Sequence, residues 1–332
     1  MIDRLTCVES DGCDPYRNLA IEEYLMLHCE ERECILYLWQ NQRTVVVGRN
    51  QNPWKECWVE LLEADGGYLA RRNSGGGAVY HDLGNLNFTF LARKENYSVE
   101  RQLKVIRLAL EALGAEVELS GRNDLLINGW KFSGSAFYES GDFCCHHGTV
   151  MLDVDMDALS RYLTPSEEKL GSKGVDSVRV RVNNLKKLLP ELTIEGLKES
   201  LRLAFERVYG EKSRTMLLEE LDARELKNRE QRFSSGEWKY GRNFEFQREL
   251  FHHFAWGELS LRVQICGDRI TDAVVYSDAL RLVLLGNLAM SLKGVCYERS
   301  ALCTALEGCS VADRQEAQMK ADLMEWLSMV KL

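Results

Sequence analysis

Arg71 and Arg72 run straight into a glycine cluster, in the stretch Arg71-Arg72-Asn73-Ser74-Gly75-Gly76-Gly77-Ala78-Val79-Tyr80-His81-Asp82. Consecutive glycines do not fill a core. They let backbone N–H groups approach a ligand closely and adopt conformations closed to other residues. Fixed positive charge beside such a backbone suits a phosphate or a carboxylate; the competing reading is an ordinary turn with solvated arginines. The spacing matches neither a Walker loop nor the dinucleotide fingerprint. A second candidate is Lys131 in Trp130-Lys131-Phe132-Ser133-Gly134-Ser135-Ala136. Apolar Phe132 puts Lys131 on the opposite strand face, and the small residues after it leave room for a bulky ligand. The alternative is a surface lysine on a hairpin. Asp124, in Gly121-Arg122-Asn123-Asp124, suits a magnesium ion or a ribose hydroxyl, or simply a turn. His81 and His147 sit beside these motifs, and a lone histidine is more often structural. Cys144-Cys145-His146-His147 has the residue types of a metal site. In a strand, however, successive side chains face opposite ways, so the four cannot converge on one ion.

The elements that must position these residues can be read from periodicity. Residues 16–28 have near-helical apolar spacing, and 34–39, 44–47, 68–71 and 85–90 read as strands. A helix over 98–113 has Ser98 as N-cap and Gly114 as stop. Residues 124–128 and 131–136 form a hairpin around Asn128-Gly129, because Asn-Gly favours the tight turn that joins two strands. A strand follows at 148–154 and helices at 156–163 and 194–209. Residues 167–181 read as a mobile loop and 236–248 as a connector. Strands at 258–266 and 269–276, turning at Gly267-Asp268, then lead into helices that run to the end.

The chain has 332 residues, enough for one large domain and a smaller one. Its 45% hydrophobic and 28% charged content fits a soluble enzyme, and with 4 prolines long disordered linkers are not expected. A net charge of -9 argues against general nucleic-acid binding. No signal peptide or membrane span is expected. The 11 cysteines, an odd number without regular spacing, read as reduced thiols in a cytoplasm.

Several segments together resemble the lipoate–protein ligase A family, of the biotin/lipoate ligase superfamily. They are Arg71–Phe90 (RRNSGGGAVYHDLGNLNFTF), Val47–Cys57 (VGRNQNPWKEC), Gly121–Leu125 (GRNDL), Lys131–Ala136 (KFSGSA), His146–Asp155 (HHGTVMLDVD), Glu167–Leu185 (EEKLGSKGVDSVRVRVNNL) and Phe254–Leu261 (FAWGELSL). The resemblance implies an α/β (α+β) fold: a class II synthetase and biotin-ligase-like mixed sheet with flanking helices, over 1–245. A small α+β accessory domain would occupy 250–332.

The same resemblance implies two chemical steps. Lipoate carboxylate attacks the α-phosphate of ATP, with Mg2+, to give lipoyl-AMP. A lysine of a lipoyl carrier domain then takes the acyl group. The carriers would be 2-oxoacid dehydrogenase E2 subunits or the glycine-cleavage H protein. Lys131 is the expected catalytic residue. Arg72, Gly76, Gly77, Ala78, Val79, Tyr80, Asn85, Asp124 and Lys131 would hold ATP and the adenylate. Lys173, Gly174, Val175, Ser177 and Val178 would cover it, and Asp124 would be the Mg2+ ligand. Trp39, Arg72, Ser74, Gly77, Val79, His81, Lys131, Ser135, Ala136 and His147 would bind lipoate. A cytoplasmic monomer without nucleic-acid or membrane partners completes the expectation. Related octanoyltransferases and lipoyl amidotransferases use a cysteine nucleophile and no ATP; in one such group it comes shortly before the segment matching 124–128, and residues 114–128 contain none here.

Overall fold

The structure is a computed structural model that describes residues 2–120, 124–164, 183–241, 245–330 and 332. The chain divides into two compact units, each taken by itself below. The first comprises Met1–Val46, Pro53–Arg72 and Ala78–Lys239; the second comprises Val47–Asn52, Asn73–Gly77 and Tyr240–Leu332.

The first unit is built on strands β1 (Arg4–Glu9), β2 (Glu33–Trp39), β3 (Thr44–Val47), β4 (Tyr68–Arg71), β5 (Ala78–His81), β6 (Asn85–Arg93), β7 (Glu118–Ser120), β8 (Asp124–Ile127), β9 (Trp130–Ser140), β10 (Phe143–Met151) and β11 (Ser213–Thr215). Eight of them form a mixed sheet in the order β11-β1-β2-β6-β10-β9-β8-β7, and β4-β3-β5 form a small one. β1 runs parallel to β2 and β11; the pairs from β2 through β6, β10, β9 and β8 to β7 are antiparallel.

Period-two alternation sorts the large sheet into two faces. One carries Leu36, Leu38, Phe88, Phe90 and Val150 against the helices Val99–Ala112 and Ile194–Tyr209. Fully burying a phenylalanine such as Phe88 or Phe90 contributes roughly 2–3 kcal/mol. The other face carries Ile35, Tyr37, Trp39, Leu91 and Cys145 against the helices Pro15–Leu27 and Ala223–Ser234.

Local chemistry explains the boundaries. Asp14 caps Pro15–Leu27, accepting from the N–H groups of Tyr16 and Arg17, with Pro15 in the first turn where no donor is needed. Ser98 caps the next long helix through the N–H of Arg101, and Gly114 follows its end at φ +91°. Asn128 (φ +52°) and Gly129 (φ +78°) join β8 to β9 with the paired left-handed residues that a tight hairpin demands.

The second unit has strands β12 (Arg248–Phe254), β13 (Gly257–Cys266) and β14 (Arg269–Ser277) in an antiparallel sheet. Helices Val283–Ser291, Arg299–Glu307 and Arg314–Met329 supply the rest of its core, with Leu259, Leu261, Ile270, Leu288, Leu306 and Leu323 buried among them.

Two sequence expectations shift. The connector at 236–248 ends in an unanticipated strand, β12, whose pattern of charged and aromatic residues hides a half-exposed edge. β10 begins at Phe143, five residues before the expected start, so the Cys-Cys-His-His run lies within a strand. Among the described residues no helix is long and apolar enough to cross a membrane.

Candidate active site

Lys131 is placed by an irregularity in the sheet. Leu125 of β8 pairs with Ser133, but Leu126 pairs with Lys131, so β9 carries one extra residue, Phe132. Such a bulge re-aims the side chains beyond it. Phe132 and Ser133 are both buried, Phe132 in the core under the helix Val99–Ala112. Lys131 emerges over Gly134: a methyl group on that glycine would lie 3.7 Å from the Lys131 Nζ. Regular alternation would have put Lys131 on the face of Ser133. The bulge moves it onto the face of Gly134 and Ala136.

That face can be followed in tiers. Gly134 pairs with Thr149, Thr149 with Asn87, and Asn87 with Trp39. In the next tier Ala136 pairs with His147, His147 with Thr89, and Thr89 with Tyr37. A third holds Tyr138, Cys145, Leu91 and Ile35. Trp39, Ala136, His147 and Lys131 therefore share one face. Ser135 does not: it points the other way and meets His146 Nε2 at 3.0 Å, which removes it from the lining expected for lipoate. The same alternation puts Cys144 and His146 opposite Cys145 and His147, so the four do not converge.

Beneath this face runs a buried polar network that the sequence reading missed. Trp39 Nε1 donates to Thr89 Oγ1 (3.0 Å), and Thr89 donates to Glu22 Oε1 (2.7 Å). His147 Nδ1 lies 2.8 Å from the same Glu22 oxygen. Glu22 comes from the helix Pro15–Leu27 and is 4% exposed. Its position within a helical apolar stretch was the available signal, since a carboxylate on a buried face needs partners.

His81 stacks edge-on to Trp39, with ring centroids 6.3 Å apart. Its Nδ1 accepts from Asn41 Nδ2 (3.2 Å), whose Oδ1 accepts from Asn18 (3.0 Å). The proton of neutral His81 therefore sits on Nε2, which is buried without a hydrogen-bond partner among the described residues. Burial first, then the charge of Arg72, pulls the His81 pKa down to about 3. Asn87 Nδ2 is a second buried donor without a partner among the described residues; its Oδ1 accepts from Asn85 (3.0 Å). Two unsatisfied buried donors beside Trp39 mark a place for an oxygen-bearing ligand. Val79 packs toward the same core, while Tyr80 faces Tyr162 at 5.8 Å. Ala78, which opens β5, is half-buried.

The two arginines have different jobs. Arg71 donates from Nε and Nη2 to the carbonyls of Trp238 and Lys239, and Trp238 Nε1 donates back to the Arg71 carbonyl. Arg72 donates to the Val46 carbonyl (3.1 Å). Burial lowers its pKa to about 10, partly offset by the attraction of Glu22, so it remains cationic at neutral pH.

In the second unit, Ser74, Gly75, Gly76 and Gly77 pack backbone against backbone. Arg49 N–H donates to the Ser74 carbonyl (2.8 Å), Gly48 N–H to that of Gly77 (3.2 Å), and Gly76 N–H to that of Ala279 (3.2 Å). A Cβ on Gly48 would run into the Gly76 carbonyl, and one on Gly75 into that of Ala279. Gly76 also has φ +96°. The glycines are thus explained first by close packing, and the Gly76 N–H is already spent, contrary to the expectation of a free anion nest.

The side chain of Asp124 and all of Lys173, Gly174, Val175, Ser177 and Val178 lie outside the described residues, with the rest of 165–182. Among the described residues, Glu22, Cys145 and His147 bring donor atoms within 4.8 Å of one another. A thiol and an imidazole in that set do not suit Mg2+.

Comparison with known proteins agrees with this architecture. Residues 14–206 match the lipoyl protein ligase A/B catalytic domain, and residues 243–327 match the bacterial lipoate protein ligase C-terminus. The chain belongs to the lipoyl protein ligase family. Its structure is similar to that of P. falciparum LipL1 in complex with lipoate, at 27% identity and TM-score 0.85, covering 97% of this chain and 99% of that one. It is also similar to a bi-partite lipoate protein ligase from Thermoplasma acidophilum, solved in a study with its E2 lipoyl domain (25% identity, TM-score 0.63, 75% of this chain and 100% of that one). A lipoate-protein ligase A bound with ATP shares the fold at 24% identity and TM-score 0.61, over 73% of this chain and 99% of that one.

Proposed function

We propose that this chain activates free lipoate with ATP and transfers the lipoyl group to a lysine of a lipoyl carrier domain. The observation that carries the proposal is the bulge at Phe132, which turns Lys131 onto the face lined by Trp39, Ala136 and His147. A cation at the head of a strip with aromatic and small walls suits a fatty carboxylate whose tail lies along the strip.

Two mutually repelling anions must meet for lipoate to attack the α-phosphate. Lys131 and the cationic Arg72 offset that repulsion, and most where charge builds as pyrophosphate leaves. The buried donors His81 Nε2 and Asn87 Nδ2 are available to an oxygen of the substrate. In the second step the carrier amine attacks the acyl carbonyl and AMP departs, with Lys131 stabilising the oxyanion rather than accepting the acyl group. Magnesium on the phosphates belongs to the same reading, with Asp124 its candidate ligand. The lipoate complex of the similar LipL1 supports the acyl substrate. The Thermoplasma ligase and its E2 lipoyl domain support the kind of carrier, for which E2 subunits and the glycine-cleavage H protein are the candidates.

A transferase using Cys144 or Cys145 as nucleophile is disfavoured. Cys144 faces away from Lys131, and burial pushes its thiol up to about 11. Cys145 is 2% exposed and burial raises its thiol well above the ordinary value, so both remain protonated thiols at neutral pH.

Mass spectrometry of a lipoyl carrier domain incubated with the protein, lipoate, ATP and Mg2+ tests the proposal. Lipoylation should vanish when any one component is left out. Transfer that persists without ATP would overturn it.

A further inference from the structure

A histidine that the proposed chemistry leaves unused sits behind the site. His146 lies on the sheet face opposite Lys131, fully buried, with its ring against Phe137 (centroids 4.7 Å apart) and Phe88 (5.4 Å). An apolar ring would fill this aromatic layer without stripping water from two nitrogens. Both nitrogens are engaged. Nδ1 donates to Gln102 Oε1 (3.0 Å), an oxygen that can only accept, so Nε2 is left to accept from Ser135 Oγ (3.0 Å). The arrangement is costly. Gln102, fully buried on the helix Val99–Ala112, turns its oxygen to His146 while its Nε2 has no hydrogen-bond partner among the described residues.

The link lies where β9 is held least. β8 pairs with β9 only as far as Ser133, and from Gly134 onward the described strand pairs of β9 are to β10 alone. In that ladder Ser135 pairs with Gly148, and His146 pairs with Phe137. The Ser135–His146 bond is therefore diagonal, and a slip of β9 along β10 would break it. Through Gln102 it also ties β9 to the helix behind. Lys131 takes its direction from the bulge at Phe132 on this same strand, so whatever fixes β9 fixes the ammonium group.

We infer that His146 is a positioning residue for the adenylation step: held by Gln102, it locks β9 through Ser135 and so sets where Lys131 meets the reacting oxygens. The inference rests on the role proposed for Lys131.

Lipoate-dependent exchange of pyrophosphate into ATP tests it. The variants are Ser135→Ala, Ser135→Thr and the paired change Gln102→Leu with His146→Phe, each made with Lys131 present and again with Lys131→Ala. Ser135→Ala should lower kcat about tenfold with little change in KM for lipoate or ATP, since a displacement of about 1 Å can cost up to about a hundredfold. Ser135→Thr keeps a hydroxyl and should recover most of the rate. The paired variant replaces a buried polar pair by apolar groups of similar shape. Its thermal midpoint should hold while kcat falls as in Ser135→Ala. With Lys131→Ala none of these changes should slow exchange further, because residues that act through one another are not additive.

An equal loss in both backgrounds overturns the inference. So does an unchanged kcat in Ser135→Ala, a loss carried by KM alone, or a loss that Ser135→Thr fails to relieve. A wild type without exchange, or a Lys131→Ala protein as fast as wild type, overturns the underlying reading instead.

Discussion

Replacing Lys131 with alanine removes the cation that the bulge delivers to the substrate face. A unit charge about 3 Å from a developing negative oxygen is worth roughly 5 kcal/mol at an effective dielectric constant of about 20. Lys131 is only half-buried, so solvent takes back part of that. The loss expected is about 3–4 kcal/mol, or roughly 10²–10³ in kcat, the scale found when one preorganised donor is removed. Stability should barely change, because the side chain fills no core and surface changes usually stay within about 0.5 kcal/mol. The assay is lipoate-dependent exchange of pyrophosphate into ATP, run beside transfer from synthetic lipoyl-AMP to a carrier domain. Both should fall in Lys131→Ala while the thermal midpoint holds. An exchange rate within threefold of wild type, in a folded variant, would refute the role assigned to Lys131.

Stability should also fall in acid. Burial depresses His81 and His146 to about 3, from 6.5 in the unfolded chain, so the unfolded state binds more protons between those pH values. Their contribution is full above pH 6.5 and is lost as pH falls; at pH 4.5 each costs about 2–3 kcal/mol. Urea midpoints measured from pH 7 to 4.5 should drop steadily, and a flat profile would contradict neutral buried rings. Gly148→Ala should destabilise by about 2–4 kcal/mol, because its Cβ would strike the Phe88 ring and the Gly134 carbonyl, and a carbonyl cannot swing aside. Chemical denaturation checks this, and a loss under about 1 kcal/mol would mean the strands yield. Arg71→Ala should lower the thermal midpoint by freeing the Trp238 and Lys239 carbonyls while leaving KM for ATP near wild type. Arg72→Ala should raise that KM about tenfold or more; the reverse pattern would exchange their roles.

Much of this molecule is written in local sequence. Helix ends follow from Asp14, Ser98 and Gly114, and the β8–β9 turn from Asn128 and Gly129, because capping and left-handed backbone are properties of a few adjacent residues. The ordered motifs from Arg71 to Phe90 and from Lys131 to Ala136 point to the family for the same reason: each is contiguous. What tertiary structure decided is which way the side chains face and what they meet. One extra residue at Phe132 flips Lys131 across the sheet, and alternation then separates Ser135 from Ala136. Arg71 and Arg72 are neighbours in the chain, yet one clasps the backbone of Trp238 and Lys239 and the other donates to the carbonyl of Val46. The glycines of Gly75–Gly77 answer to Gly48 and Ala279, and Glu22 meets His147 from 125 residues away. Partners that distant are chosen by strand register and helix packing, which no local spacing encodes.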